Sequence, residues 1–244
     1  VNDLERFERD LASVIAGGSR ERPQRIVELC VSRLPVTGAG ITLMSAPDRQ
    51  QPLWASDAVA SRIDELQFRL GEGPCVDAFV TRRVVQVADV TDDRDERWPL
   101  FSAAVRETAA RGLMALPLQA EEERIGVLDF YRDRPGLLDA DVLAAVLRAA
   151  DATFWSLLDL HHVRSGEGGS ASTADEDPSG WLPDAPLEHV EVHQATGMIV
   201  AQLDVPADDA LARLRAHAFL HDRPLVEVAR DVVARRLRFS EEDQ

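Results

Sequence analysis

The sequence predicts an α+β protein in two parts: an antiparallel sheet with helices packed on it, then a small all-α module of three helices. Three observations predict it. Up to residue 163, apolar runs of strand length alternate with amphipathic stretches at helical spacing. From residue 164 to 180 large apolar residues disappear. Beyond, three helical segments follow one another with almost no loop between them, which leaves room for a compact helical unit. The division is therefore 1–163 for a front domain, 164–180 for a flexible linker and 181–244 for the terminal module.

In chain order, Leu4, Phe7, Leu11 and Val14 recur at helical spacing until Gly17 and Gly18 end the pattern. Glu21 to Leu34 predicts a second helix, with Pro23 where a first turn tolerates it and Ile26, Val27, Cys30 and Leu34 on one side. Ala39 to Ser45 and Leu53 to Ser56 read as two antiparallel strands. Ser56 then caps a helix to about Phe68, because a Ser or Asp oxygen there satisfies unpaired amides. Gly71-Glu-Gly-Pro-Cys75 forces a turn directly into a short helix; such a turn can cradle an anion, but this one lacks the length and the Lys of a P-loop. Val84 to Val90 reads as a strand, Trp98 to Arg111 as a helix, and Leu113 to Gln119 with Ile125 to Tyr131 as a hairpin. Short connections throughout favour antiparallel neighbours.

Asp139 to Val163 predicts one helix of about 25 residues, so roughly 37 Å long. Two adjacent apolar stripes run along it, Leu143, Leu147, Ala150, Phe154 and Leu158 beside Val142, Val146, Thr153, Leu157 and Leu160. One stripe suffices to cover a sheet, so the second predicts the same helix from another subunit, a homodimer; a deep groove within one subunit is the alternative. Trp155 falls on the polar side, as a partner surface or a lone exposed aromatic.

The terminal helices are predicted at Leu187 to Leu203, Ala207 to Asp222 and Pro224 to Phe239, with Pro206 and Pro224 marking the junctions. Gly197 in the middle of the first costs about 1 kcal/mol relative to Ala, so either another helix or a nucleic-acid backbone should approach it closely. His193, Gln194 and Thr196 beside it can donate and accept hydrogen bonds to base edges; a core histidine and a solvated glutamine are the plain alternatives. Arg213, Arg215 and His217 on the second helix, with Arg223 and Arg230 at the third, make a basic patch possible within a module of seven Arg and eight carboxylates. The same arginines can equally form ion pairs on a solvated face.

Composition narrows the function. The formal charge of -16 excludes a nonspecific nucleic-acid coat, so any nucleic-acid site is local. All 27 basic residues are Arg. Cys30 and Cys75 cannot build a disulfide framework and lack metal-site spacing. No cofactor or metal is expected, and no nucleophile–base pair or paired carboxylates at useful spacing point to an enzyme. No apolar run reaches membrane-spanning length, and the first twenty residues hold no signal-peptide core, so a cytoplasmic protein is expected. A small-molecule pocket is expected near the glycine turn, lined by Trp54, Cys75, Phe79 and Trp98.

Glu191-Val-His-Gln-Ala-Thr-Gly-Met-Ile-Val-Ala-Gln-Leu203, Ala210 to Phe219 and Arg223 to Ala229 closely resemble the ANTAR domain. The resemblance implies an RNA-binding transcription antiterminator whose dimers hold paired hexaloop hairpins in an mRNA leader. Many members carry Lys where this chain has Thr196. Gly71-Glu-Gly-Pro-Cys75, Arg97-Trp-Pro99 and Ala115-Leu-Pro-Leu118 look like the GAF domain that precedes ANTAR in actinobacterial regulators. That likeness implies a six-stranded sheet, dimerisation and often a small-molecule ligand. The signature of cyclic-nucleotide GAF domains is absent, and the three cysteines of sulfoxide-reducing GAF enzymes are here two. A ligand-responsive helix-turn-helix regulator of DNA is the alternative, although recognition helices read bases from their N-terminal residues and the arginines here gather at the other end.

Overall fold

The computed structural model describes residues 3–47, 49–92, 96–167, 189–221 and 223–240. The front domain runs α1 (Asp3–Ala16), α2 (Arg22–Arg33), β1 (Gly38–Ala46), β2 (Arg49–Ala55), α3 (Ala58–Leu70), α4 (Pro74–Thr81), β3 (Val85–Val87), α5 (Pro99–Val105), β4 (Gly112–Ala120), β5 (Glu123–Arg132) and α6 (Ala140–Glu167). The terminal module is α7 (Val190–Leu203), α8 (Ala207–Leu220) and α9 (Leu225–Val233). The α+β organisation follows the expectation. The sheet has five strands among the described residues, in the order β2-β1-β5-β4-β3, rather than six. All its pairings are antiparallel. Among the described residues no helix is long and apolar enough to cross a membrane.

Period-two alternation divides the sheet between two layers of helices. Ala39, Ile41 and Leu43 of β1, Met114, Leu116 and Leu118 of β4, and Leu128 and Phe130 of β5 pack with α1, α2 and α6. The intervening positions, Met44, Ala115 and Val127, face Cys75, Ala78 and Phe79 of α4. Leu113 and Tyr131 join α3 and α5 through Ile63, Leu66 and Phe101. The β4–β5 hairpin closes with only Glu121 and Glu122 between paired residues, and Glu121 takes a left-handed backbone with φ 52°.

Several boundaries differ from the sequence expectation for identifiable reasons. Asp57, not Ser56, caps α3: its Oδ1 accepts from Val59 N at 2.8 Å and Ala60 N at 2.9 Å. Ser56 Oγ instead accepts from Ala39 N and donates to Asp57 Oδ2, tying the cap to β1. The helix predicted to Arg111 stops at Val105, where Thr108 Oγ1 donates to the Val105 carbonyl. The long helix begins behind the cap of Asp139, whose Oδ1 accepts from Val142 N, and runs through Glu167. Arg164 to Glu167, predicted as the start of the linker, continue α6, and the rest of the predicted linker, with the predicted start of the first terminal helix, lies outside the described residues. Along α6, Val146, Ala149, Ala150, Phe154 and Leu157 are buried, while Leu147 is 40% and Trp155 55% exposed.

A small cavity under α3, lined by Gly40, Ile63, Asp64, Gln67, Met114 and Asp129, has room for little more than a water. Asp129 is 8% exposed, its Oδ2 takes no hydrogen bond, and burial raises its pKa from 3.8 to about 7. An acid raised in this way is protonated in the folded chain and ionised in the unfolded one between those values. Its contribution to stability is thus intact below about pH 4 and is lost as pH rises to 7. Urea midpoints measured across pH 4 to 8 should fall more steeply for the native chain than for Asp129→Asn, and parallel profiles would contradict this assignment. Asp57→Ala should lower stability by about 1–2 kcal/mol in the same assay through loss of the α3 cap, whereas an unchanged midpoint would mean that Ser56 carries the cap.

Candidate nucleic-acid interface

The terminal module is held by a core of Val192, Ala195 and Ile199 from α7, Ala210, Leu211, Leu214 and Ala218 from α8, and Leu225, Val228, Ala229 and Val232 from α9. Its third helix is shorter than the arginine-laden sequence predicts. Arg235 adopts φ 58°, Arg235 N bonds the Val232 carbonyl and Arg236 N bonds the Asp231 carbonyl, which together form a left-handed helix stop. The chain then turns back so that Phe239 enters the core. Phe239 N donates to Gln202 Oε1 at 2.9 Å, and its ring meets His217 edge-on at 5.4 Å. Arg235, Arg236 and Arg238 consequently lie on an exposed return segment rather than on the predicted helix.

The predicted RNA-contacting residues separate into distinct environments. His193, Gln194 and Gly197 are exposed along one side of α7. A methyl group built at Gly197 would meet nothing within 4 Å, so among the described residues no neighbouring helix explains the glycine. Thr196 instead faces inward, 7% exposed, and its hydroxyl donates to the Val192 carbonyl at 2.8 Å. Its i−4 bond to the backbone satisfies the hydroxyl within the helix and removes it from any outer surface. Arg223 pairs with Asp231 at 2.8 Å, and Arg236 pairs with the same carboxylate at 2.7 Å. Those bonds, Arg223's first, hold Asp231 below the usual carboxylate range. Arg230 pairs with Glu191 of α7 at 3.1 Å but keeps 59% of its side chain exposed. His217 stacks on His221 at 4.1 Å. Arg213 is half-buried on α8.

Arg215 is engaged elsewhere. Its Nη2 donates to the Phe68 carbonyl at 2.5 Å, and its guanidinium lies 5.6 Å from the Phe68 ring. Phe68, at the end of α3 in the front domain, is 1% exposed and belongs to the core of the terminal module. His189 stacks on it with ring centres 3.8 Å apart, and His193 approaches its edge at 6.2 Å. Burial lowers the His189 pKa to about 4, with His193 adding to the effect, so that ring is neutral near pH 7. Sequence reasoning missed this contact. The available signal was that Phe68 falls off the apolar stripe of its own helix, where Ile63 and Leu66 turn to the sheet side.

The four residues predicted to line a small-molecule pocket are not brought to one cavity. Cys75 and Phe79 meet beneath α4, Trp98 belongs to the neighbouring cluster with Phe101, and Trp54 packs with the core on the α1, α2 and α6 side. The pleat of β2 is the reason, because Trp54 pairs with Ile41 and shares its face of the sheet. The glycine turn serves the fold: Gly71 and Gly73 have φ 71° and 136°, and Gln67 Oε1 fills the start of α4 by accepting from Cys75 N at 2.7 Å. Glu72 Oε1 accepts from Phe101 N at 2.8 Å. Both cysteines are buried free thiols, and burial pushes Cys30 up to about 12 and Cys75 well above its ordinary value. Neither is a ready thiolate. Among the described residues no group of three metal-ligating side chains converges.

The GAF domain model matches residues 21–155, and the ANTAR domain model matches residues 182–233. No curated protein sequence matches. The GAF domain of an Acinetobacter phosphoenolpyruvate-protein phosphotransferase is similar at 12% identity and a TM-score of 0.52, covering 68% of this chain and 99% of that one. The corresponding domain from Coxiella burnetii is similar at 12% identity and a TM-score of 0.50, covering 68% and 98%. At this identity the likeness speaks to fold alone. A free methionine-R-sulfoxide reductase from Neisseria meningitidis aligns less well, at 15% identity and a TM-score of 0.46 over 63% of this chain and 87% of that one. With its front sheet and helices matched over more than half of its length, the chain belongs to the GAF domain family, with an ANTAR domain following the GAF domain.

Proposed function

We propose that this chain is an RNA-binding transcription antiterminator. Two copies joined along α6 present two terminal modules to paired hexaloop hairpins in a nascent mRNA leader, and holding the hairpins prevents a terminator from forming. The ANTAR match over residues 182–233 is the observation that carries this reading. Looped, single-stranded RNA is the chemically sensible target, because its splayed bases expose edges and faces that a duplex hides. His193 and Gln194 supply donors and acceptors on the open side of α7, and Gly197 lets a backbone come close there. Arg213 supplies positive charge from α8, while Arg215, Arg223 and Arg230 must exchange their present partners to do so. The exposed Leu147 and Trp155 of α6 support pairing of two copies along that helix. The front domain senses a small molecule, and the protein acts in the cytoplasm.

A gel shift with an RNA carrying two hexaloop hairpins tests the reading. The native chain should bind it in preference to a DNA duplex. Arg213→Ala should weaken binding severalfold and lower the slope of log affinity against log salt by about 0.7, the loss of one phosphate contact to a single strand. An RNA affinity no better than that for duplex DNA would overturn the reading, and an unchanged salt slope would remove Arg213 from the interface.

A further inference from the structure

The two domains meet at Phe68, which among the described residues is the one front-domain side chain in the buried core of the terminal module. His189 stacks flat against it, and Arg215 both lies over its ring and donates to its carbonyl. The close approach is matched by the backbone beside it. A Cβ at Gly71 would fall 2.5 Å from Arg215 Nη1, so the left-handed glycine that ends α3 also makes room for the guanidinium.

We propose that Phe68 is an autoinhibitory latch: docked in the terminal module, it withholds Arg215 and His189, at the start of α7, from RNA, and its release raises RNA affinity. The inference rests on the RNA-binding reading above. A guanidinium that donates to a carbonyl and lies over an aromatic ring is not at the same time free to fork a phosphate or a base edge. Helix α7, which carries the exposed His193, Gln194 and Gly197, has its leading end against the Phe68 ring. A contact built around one ring is one that thermal motion can open, in contrast to a broad apolar interface. The latch also has a lever. Phe68 follows Gln67, whose side chain caps α4 and lines the cavity shared with Asp64 and Asp129. Any rearrangement of that cavity wall moves α3, and with it the latch.

The test compares the full native chain with Phe68→Ser and His189→Gly. The second variant deletes the stacked ring at a position whose φ of 75° suits glycine, so it keeps the module intact even if the first does not. Hydrogen exchange reports undocking directly, as faster exchange at the start of α7 with α9 unchanged. Fluorescence anisotropy with a labelled RNA of two hexaloop hairpins reports affinity. Both variants should undock and bind the RNA about tenfold tighter than the native chain, as expected when a minor binding-competent state becomes the major one. Undocking without a gain, while the native chain binds, would overturn the latch and leave the RNA reading standing. If none of the three proteins binds, the RNA reading falls and the masking role falls with it.

Discussion

Phe68 belongs to the front domain by sequence and to the terminal module by burial, and the relation between the two halves rests on that mismatch. Each half has its own core. The front domain closes its sheet between α1, α2 and α6 on one side and α3, α4 and α5 on the other. The terminal helices close around Leu214, Val228 and Val232. Phe68, with Arg215 and His189 around it, links the two cores. Burial of one large ring is strong enough to set a preferred arrangement and small enough to be reversed.

Charge imposes a second constraint. With a formal charge of -16 the molecule repels phosphate on average, and several of its arginines are paired with carboxylates within the fold. Asp231 takes both Arg223 and Arg236, Glu191 takes Arg230, and on the front domain Asp159 takes Arg22. Such exposed pairs contribute little to stability. Their consequence is for binding: a polyanion must compete them open one at a time, which favours a ligand that fits over one that is merely charged.

The order of elements, the antiparallel sheet and the three terminal helices were legible because each rests on local periodicity and on boundary residues such as Gly17, Pro206 and Pro224. What was illegible depended on contacts between distant residues. Asp57 displaces Ser56 as the cap because Tyr131 and β1 hold Ser56 and Asp57 in place from across the sheet. The last helix stops at Val233 because Phe239 has a site in the core to return to. Thr196 reads as part of a polar surface set yet lies inward, since its hydroxyl is satisfied by the helix backbone. Trp54 was grouped with Cys75 and Phe79 by composition, while strand register sends it to the opposite face. Among the candidate RNA contacts, the exposed stripe on α7 follows from helical spacing; the capture of Arg215 by a residue 147 positions away does not.

Central to the account is that two chains act on one RNA. Analytical ultracentrifugation of the native protein, alone and mixed with a transcript carrying two hexaloop hairpins, measures this without reference to any single side chain. The account predicts a dimer in the absence of RNA and a complex of two chains with one transcript in its presence. A protein that sediments as a monomer at micromolar concentration and leaves the transcript unbound would contradict it.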